Sequence, residues 1–179
     1  MAKIAGVVEN LGEKAASAAS GDSADASKRN RTMLLTRRAE FSASHVCASS
    51  SLSAEENYAI YGANANPHGH GHNYVVEVTL EGEPDAVTGM VFDLRELKEI
   101  INAEVIEPMD HRFLNREIPP FDRIVPTTEN LAAEIWRRIA ARVQAPGTRS
   151  GRARLKNVRL YETADLYVDC IGADPGEQR

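Results

Sequence analysis

The chain has 179 residues, of which 42% are hydrophobic and 26% charged, and carries a formal net charge of -5 at pH 7. That size and balance suit one soluble domain with a sizeable core. The lack of any basic block argues against a nucleic-acid partner, and no apolar run is long enough to span a bilayer. Cys47 and Cys170 are the only cysteines, too few for a disulfide framework, so the expected setting is a reducing, cytoplasmic one.

Residues 1–31 read as a flexible N-terminal tail. Ala, Ser, Gly and Asp dominate from Ala15 to Ser27, although Ile4, Val7, Val8 and Leu11 have the spacing of a short amphipathic helix. Glu9, Glu13, Asp22 and Asp25 count against a transit peptide. The ordered domain is expected over 32–173, with 174–179 as a C-terminal tail.

Residues 33–47 read as a strand with Phe41, Ala43, His45 and Cys47 on one face. The Ser-, Asn-, Gly- and Pro-rich stretch 48–69 reads as a long loop. Residues 72–82 alternate as a second strand, with Tyr74, Val76, Val78 and Leu80 on its apolar face. Asp93-Leu-Arg-Glu96 has the form of a capping box. The helix it opens has Leu94, Leu97, Ile101 and Val105 as its apolar stripe and ends at Pro108. Thr127 or Thr128 caps a second helix, with Leu131, Ile135, Ile139 and Val143 buried and Trp136 packing. A turn at Gly147–Gly151 leads into strands at 154–162 and 165–171. The order β-β-α-α-β-β predicts an α+β fold, a four-stranded antiparallel sheet with two helices on one face.

The richest chemistry lies at His70-Gly71-His72. Residues two apart on a strand project to one side, so both imidazoles can reach one metal ion, and His45 can complete the set. A turn histidine pair without metal is the alternative. His68 is a competing ligand, but it follows Pro67 in the loop. Asp110-His111 can move protons, since a carboxylate orients an imidazole and raises its basicity, or it can be structural. Glu162, on the side of Val158 and Leu160, needs either a buried cation or a ligand with two parallel N–H donors. Cys47 is a small buried hydrophobe or a thiol held near the metal.

Several spaced motifs recur together: Phe41-Ser-Ala-Ser-His45, Leu52-Ser-Ala-Glu-Glu-Asn57, Tyr61-Gly62, Gly69-His-Gly-His-Asn-Tyr74, Val87-Thr-Gly-Met-Val91, Met109-Asp-His111, Thr127-Thr-Glu-Asn130 and Tyr161-Glu-Thr163. In this order they resemble the 6-pyruvoyl-tetrahydropterin synthases, and with them the 6-carboxy-tetrahydropterin synthases of queuosine biosynthesis, over about residues 34–172. The resemblance implies a tunnelling fold, with sheets of several subunits joining into an oligomeric barrel. It also implies a homohexamer built as a dimer of trimers, with active sites between subunits. It implies a small-molecule pterin substrate, 7,8-dihydroneopterin triphosphate, converted to 6-pyruvoyl-tetrahydropterin with loss of triphosphate, a step of tetrahydrobiopterin biosynthesis.

By position, His45, His70 and His72 match the Zn2+ ligands of such enzymes. Asp110 and His111 match the proton-transfer pair, and Glu162 the pterin anchor. Thr127 and Thr128 fall where pterin-side contacts occur. One position departs. The family's usual catalytic cysteine lies two residues after the Tyr-Gly pair, where this chain has Asn64, and an amide cannot take a proton at neutral pH. Three explanations follow. Cys47 supplies the base or a fourth metal ligand. Alternatively, Asp110-His111 and metal-bound hydroxide suffice, at lower rate or for a different bond cleavage, as in superfamily variants with glutamate at this position that cleave the side chain to 6-hydroxymethyl-dihydropterin. Or the chain binds pterins with little turnover.

Overall fold

The structure is a computed structural model and describes residues 31–145 and 153–172. The expected tails before Arg31 and from 174 onward, and the expected turn at Gly147–Gly151, lie outside the described residues. The elements run β1 (Met33–His45), α1 (Ala54–Tyr61), β2 (His70–Gly82), α2 (Leu94–Ile101), α3 (Glu107–Met109), β3 (Arg112–Phe113), α4 (Leu114–Glu117), α5 (Thr128–Val143), β4 (Arg154–Tyr161) and β5 (Tyr167–Ile171). The expected β-β-α-α-β-β frame is present as β1, β2, α2, α5, β4 and β5.

The strands form one sheet in the order β3-β1-β2-β4-β5. The four long neighbours pair antiparallel, as expected. The fifth strand was not expected: Arg112–Phe113 pairs parallel with Ala43–Ser44 of β1, so the sheet is mixed. Two residues are too few to show a period in the sequence. The pairing arises because the chain leaving α3 returns to the β1 edge.

Alternation on β1, β2 and β4 builds the covered face. Phe41 and Ala43, then Tyr74, Val76, Val78 and Leu80, then Leu155, Val158 and Leu160 are buried. Leu155 and Val158 are three residues apart yet face the same way, because the β2–β4 register shifts by a bulge between Thr79 and Leu80. Leu97, Ile100 and Ile101 of α2 and Leu131, Ile135, Ile139 and Val143 of α5 close over this face in one core. Leu94, expected in the α2 stripe, is exposed at the first helical residue. No helix of the described residues is long and apolar enough to cross a membrane.

Two local features differ from the reading of the sequence. The loop 48–69 holds α1, where Ser53 and Glu56 form a reciprocal capping box, followed by a 3-10 turn over Gly62–Ala65. Asn57 is buried there and fastens the preceding loop, accepting from the Ser49 amide and donating to the carbonyls of Ser49, Leu52 and Ser53. The helix begun by α2 also passes beyond Pro108's expected stop. A π turn at Asn102–Ile106 joins it to α3, with Pro108 inside the last turn. Pro108 lacks an N–H and its ring crowds the carbonyl four residues back, and the wider turn precedes it.

Candidate metal centre

At one end of the covered face the apolar rows turn polar. His70 and His72 continue the β2 row of Tyr74, Val76, Val78 and Leu80, and His45 continues the β1 row of Phe41 and Ala43. His45 is the register partner of His70, and His72 that of Ala43. The imidazoles therefore meet, with ring centroids 4.4 Å apart for His45–His70, 4.9 Å for His70–His72 and 5.2 Å for His45–His72. Glu162, the residue after β4, adds a carboxylate. One ligand atom from each of the four lies within 4.8 Å of the others.

Hydrogen bonding sets the state of these groups. His45 Nδ1 lies 2.7 Å from the Pro126 carbonyl oxygen. A carbonyl only accepts, so Nδ1 carries the proton and Nε2 keeps its lone pair. The buried Tyr74 hydroxyl sits 3.4 Å from that Nε2. Burial lowers the pKa of His45 and His70, and the adjoining imidazoles act in the same direction. Both rings are thus neutral at pH 7, the form that binds metal. Among the described residues, neither nitrogen of His70 has a hydrogen-bond partner, nor has His72 Nε2, although the last lies 3.2 Å from Glu162 Oε1. Buried imidazole nitrogens left without partners beside a carboxylate are costly unless a cation joins them. The three-nitrogen, one-oxygen donor set fits a divalent metal ion.

The start of α5 supports the carboxylate. Thr127 is the N-cap, its side chain accepting from the Asn130 amide. Thr128 Oγ1 donates to Glu162 Oε2. The two adjacent threonines thus have different structural duties: one ends the helix, the other aims Glu162.

Asp110 and His111 stand outside the four-residue cluster, docked on β1. The Ser42 amide donates to Asp110 Oδ1 at 2.8 Å, and the His111 amide donates to the Ser42 carbonyl at 2.6 Å. His111 Nδ1 lies 2.9 Å from Asp110 Oδ2. The Ser42 amide, then the His111 ring, hold the Asp110 carboxyl below the usual carboxylate range. His111 takes the left-handed φ of 57°, rare for a residue with a side chain, and its ring is 81% exposed. His111 and His72 border one groove of about 400 Å³ over the ends of β1 and β2.

Cys47 is buried just past β1, its Sγ 4.0 Å from His45 Nδ1, the ring edge turned to Pro126. Burial, then the fields of Glu162 and Glu129, push its thiol up to about 11. Glu162 rather than Cys47 is the fourth member of the cluster. Asn64 is exposed in the 3-10 turn, and its carbonyl accepts from the Cys47 amide at 2.9 Å. His68 is exposed, outside the cluster. The supporting groups that sequence reasoning missed are the Pro126 carbonyl, the Ser42 amide and the Tyr74 hydroxyl. Only Tyr74 left a signal, its place in the His70–His72 row.

A family model described as 6-pyruvoyl tetrahydropterin synthase matches residues 34–172. The chain belongs to the 6-pyruvoyl tetrahydropterin synthase family. It is 46% identical over 139 residues to the 6-pyruvoyl tetrahydrobiopterin synthase of Dictyostelium discoideum, covering 78% of this chain and 96% of the relative. It is 44% identical over 134 residues to that of Pongo abelii, covering 75% and 88%. Among solved structures, the Caenorhabditis elegans 6-pyruvoyl tetrahydropterin synthase superposes with a TM-score of 0.73 at 34% identity, covering 81% of this chain and 99% of that one. The α+β tunnelling fold expected from the motifs is the fold of these synthases, and the family is one of lyase-type enzymes acting on pterins.

Proposed function

We propose that the protein is a zinc-dependent lyase that converts 7,8-dihydroneopterin triphosphate to 6-pyruvoyl-tetrahydropterin with loss of triphosphate. The observation that carries this reading is the convergence of His45, His70 and His72 beside Glu162, in a chain of this family. The three imidazoles would hold the zinc ion, which supplies Lewis acidity toward the substrate's side-chain oxygens.

The chain's own groups do the rest. Glu162 accepts from a ring N–H and the exocyclic amine of the pterin, a bidentate match of two donors to two oxygens. Thr128 steadies that carboxylate, and Thr127 contributes a pterin-side contact. Asp110 accepts from His111 Nδ1–H, which leaves Nε2 as the atom that takes and returns the substrate's proton. The exposure of His111 fits a site shared between subunits of a homohexamer, with sheets joined edge to edge. Cys47 is the alternative base; its burial and its position at the Nδ1 edge of His45 favour Asp110–His111 instead. Two free cysteines fit a cytoplasmic setting.

Asn64 favours a second reading: the same scaffold acting as a 6-carboxy-tetrahydropterin synthase, as a side-chain-cleaving variant or as a pterin-binding homologue with little activity. Triphosphate release from 7,8-dihydroneopterin triphosphate, measured with metal-stripped and zinc-reloaded protein, tests the first reading. Release that requires zinc supports it. Intact substrate after long incubation supports the binding homologue.

A further inference from the structure

We propose that Glu162 serves two sites in turn: it closes the metal centre as a fourth ligand while no pterin is bound, and leaves the metal when a pterin claims its carboxylate. The inference rests on the zinc and pterin-anchor readings given above.

Both oxygens of Glu162 are already engaged in the cluster. Oε2 accepts from Thr128 Oγ1, and Oε1 lies 3.2 Å from His72 Nε2. No well-aligned hydrogen bond joins that last pair, and both atoms belong to the set that can reach one cation. That arrangement suits two ligands of one cation. The Glu162 side chain is 11% exposed. An oriented hydroxyl behind a ligating carboxylate is also the usual support for such a ligand, and Thr128 supplies it.

A catalytic metal needs a position open to substrate. Three imidazoles and Glu162 together fill a four-coordinate site. Of the four donors, the histidines are fixed by the β1–β2 ladder, and His45 additionally by Pro126. Glu162 stands at the start of the β4–β5 turn, where its own amide donates to the Leu166 carbonyl. It is the one donor outside the β1–β2 ladder, and rotation of its side chain alone lets it leave. A pterin's two parallel N–H groups draw on both Glu162 oxygens, so the ring and the metal compete for Oε1. Ring binding would thus open the metal to the side chain that follows it, and the pterin-free centre would be protected.

The test is a zinc titration against a competing chelator, on wild-type protein and on Glu162→Gln, each with and without unsubstituted pterin. That probe has the ring donors but no side-chain oxygens of its own for the metal. Glu162→Gln is expected to bind zinc at least about tenfold more weakly, and Thr128→Val to show part of that loss. Saturating pterin is expected to weaken zinc binding by wild type, and zinc to weaken pterin binding by the same factor. If Glu162→Gln fails to fold, the pterin effect on wild type decides alone. Equal zinc affinity in folded Glu162→Gln and wild type, or no effect of bound pterin on zinc, overturns the exchange and leaves the metal centre standing. Wild type that binds no zinc overturns the metal reading beneath it. Pterin that binds neither the zinc-free nor the loaded form overturns the anchor reading.

Discussion

His45 and His70 are register partners at the last rung of the β1–β2 ladder. Their facing positions make the histidine cluster a product of strand register. A slip of one residue would turn His70 and His72 to the opposite face while His45 stayed buried.

Gly69 guards that rung. It has φ 79°, and a Cβ added there would lie 3.0 Å from the Phe113 ring and 3.3 Å from the His45 carbonyl oxygen. Gly69→Ala is therefore expected to destabilise the fold by about 1–2 kcal/mol from the left-handed backbone alone. That corresponds to roughly 2–8 °C in Tm for a chain of this size. Zinc affinity should fall with it, because the strain falls on His70 and the His45 carbonyl. A calorimetric scan and a chelator titration check both effects.

Asp110→Asn should separate proton transfer from metal binding. The amide oxygen can still accept from the Ser42 N–H, so the docking of this turn survives. The charge that orients and steadies the His111 ring is lost. Turnover is expected to drop by about 10²–10⁴-fold, the usual share of a general acid–base group, with zinc content unchanged. A variant with near wild-type turnover would remove the pair from the mechanism.

Much of the fold and of the site is legible in the sequence. Strict alternation marked β1 and β2, and a period of two put His70 and His72 on the face of Val76 and Val78. Thr127 and Asp93 announced their helices as short polar residues before apolar stripes. What the sequence withheld was long-range. Asp110 and His111 follow a helix with nothing local to say that they dock on Ser42, 68 residues earlier. Glu162 carried two readings because its partners, His72 and Thr128, come from other elements. The Pro126 carbonyl that orients His45 is a backbone group, and any residue type offers one. The helix α1 was hidden because its exposed residues, Glu55, Tyr58 and Ile60 among them, make no apolar stripe. A full capping box at Ser53–Glu56 was its one local mark.

Cys47→Ala tests the alternative base. The buried thiol faces the edge of His45 that Pro126 already occupies. The variant is expected to keep full zinc content and most of its turnover, and to lose roughly 1 kcal/mol of stability for the removed sulfur. Loss of turnover with zinc retained would return the proton-transfer role to Cys47.

Away from the site, Glu134 gives the acid side of the stability curve. Burial alone would raise its carboxyl, but the Arg137 and Arg138 guanidinium groups outweigh that and hold it below the usual range. A carboxyl with a lowered folded-state pKa adds stability that is complete above the unfolded value of about 4.3. This stability disappears as pH falls through the folded value. Glu134→Gln should therefore cost about 1–3 kcal/mol near neutral pH, and the gap to wild type should close on acidification. Denaturant titrations at several pH values check this, and a gap that widens toward low pH would contradict it.

The identity of the product decides whether the protein is a 6-pyruvoyl-tetrahydropterin-forming lyase. Zinc-loaded protein is incubated with 7,8-dihydroneopterin triphosphate, and the pterin formed is read by mass spectrometry, with a downstream reductase present to trap an unstable pyruvoyl side chain. The expected products are inorganic triphosphate and the mass of 6-pyruvoyl-tetrahydropterin or its trapped reduction product. A 6-carboxy or 6-hydroxymethyl pterin, or unchanged substrate, would contradict it.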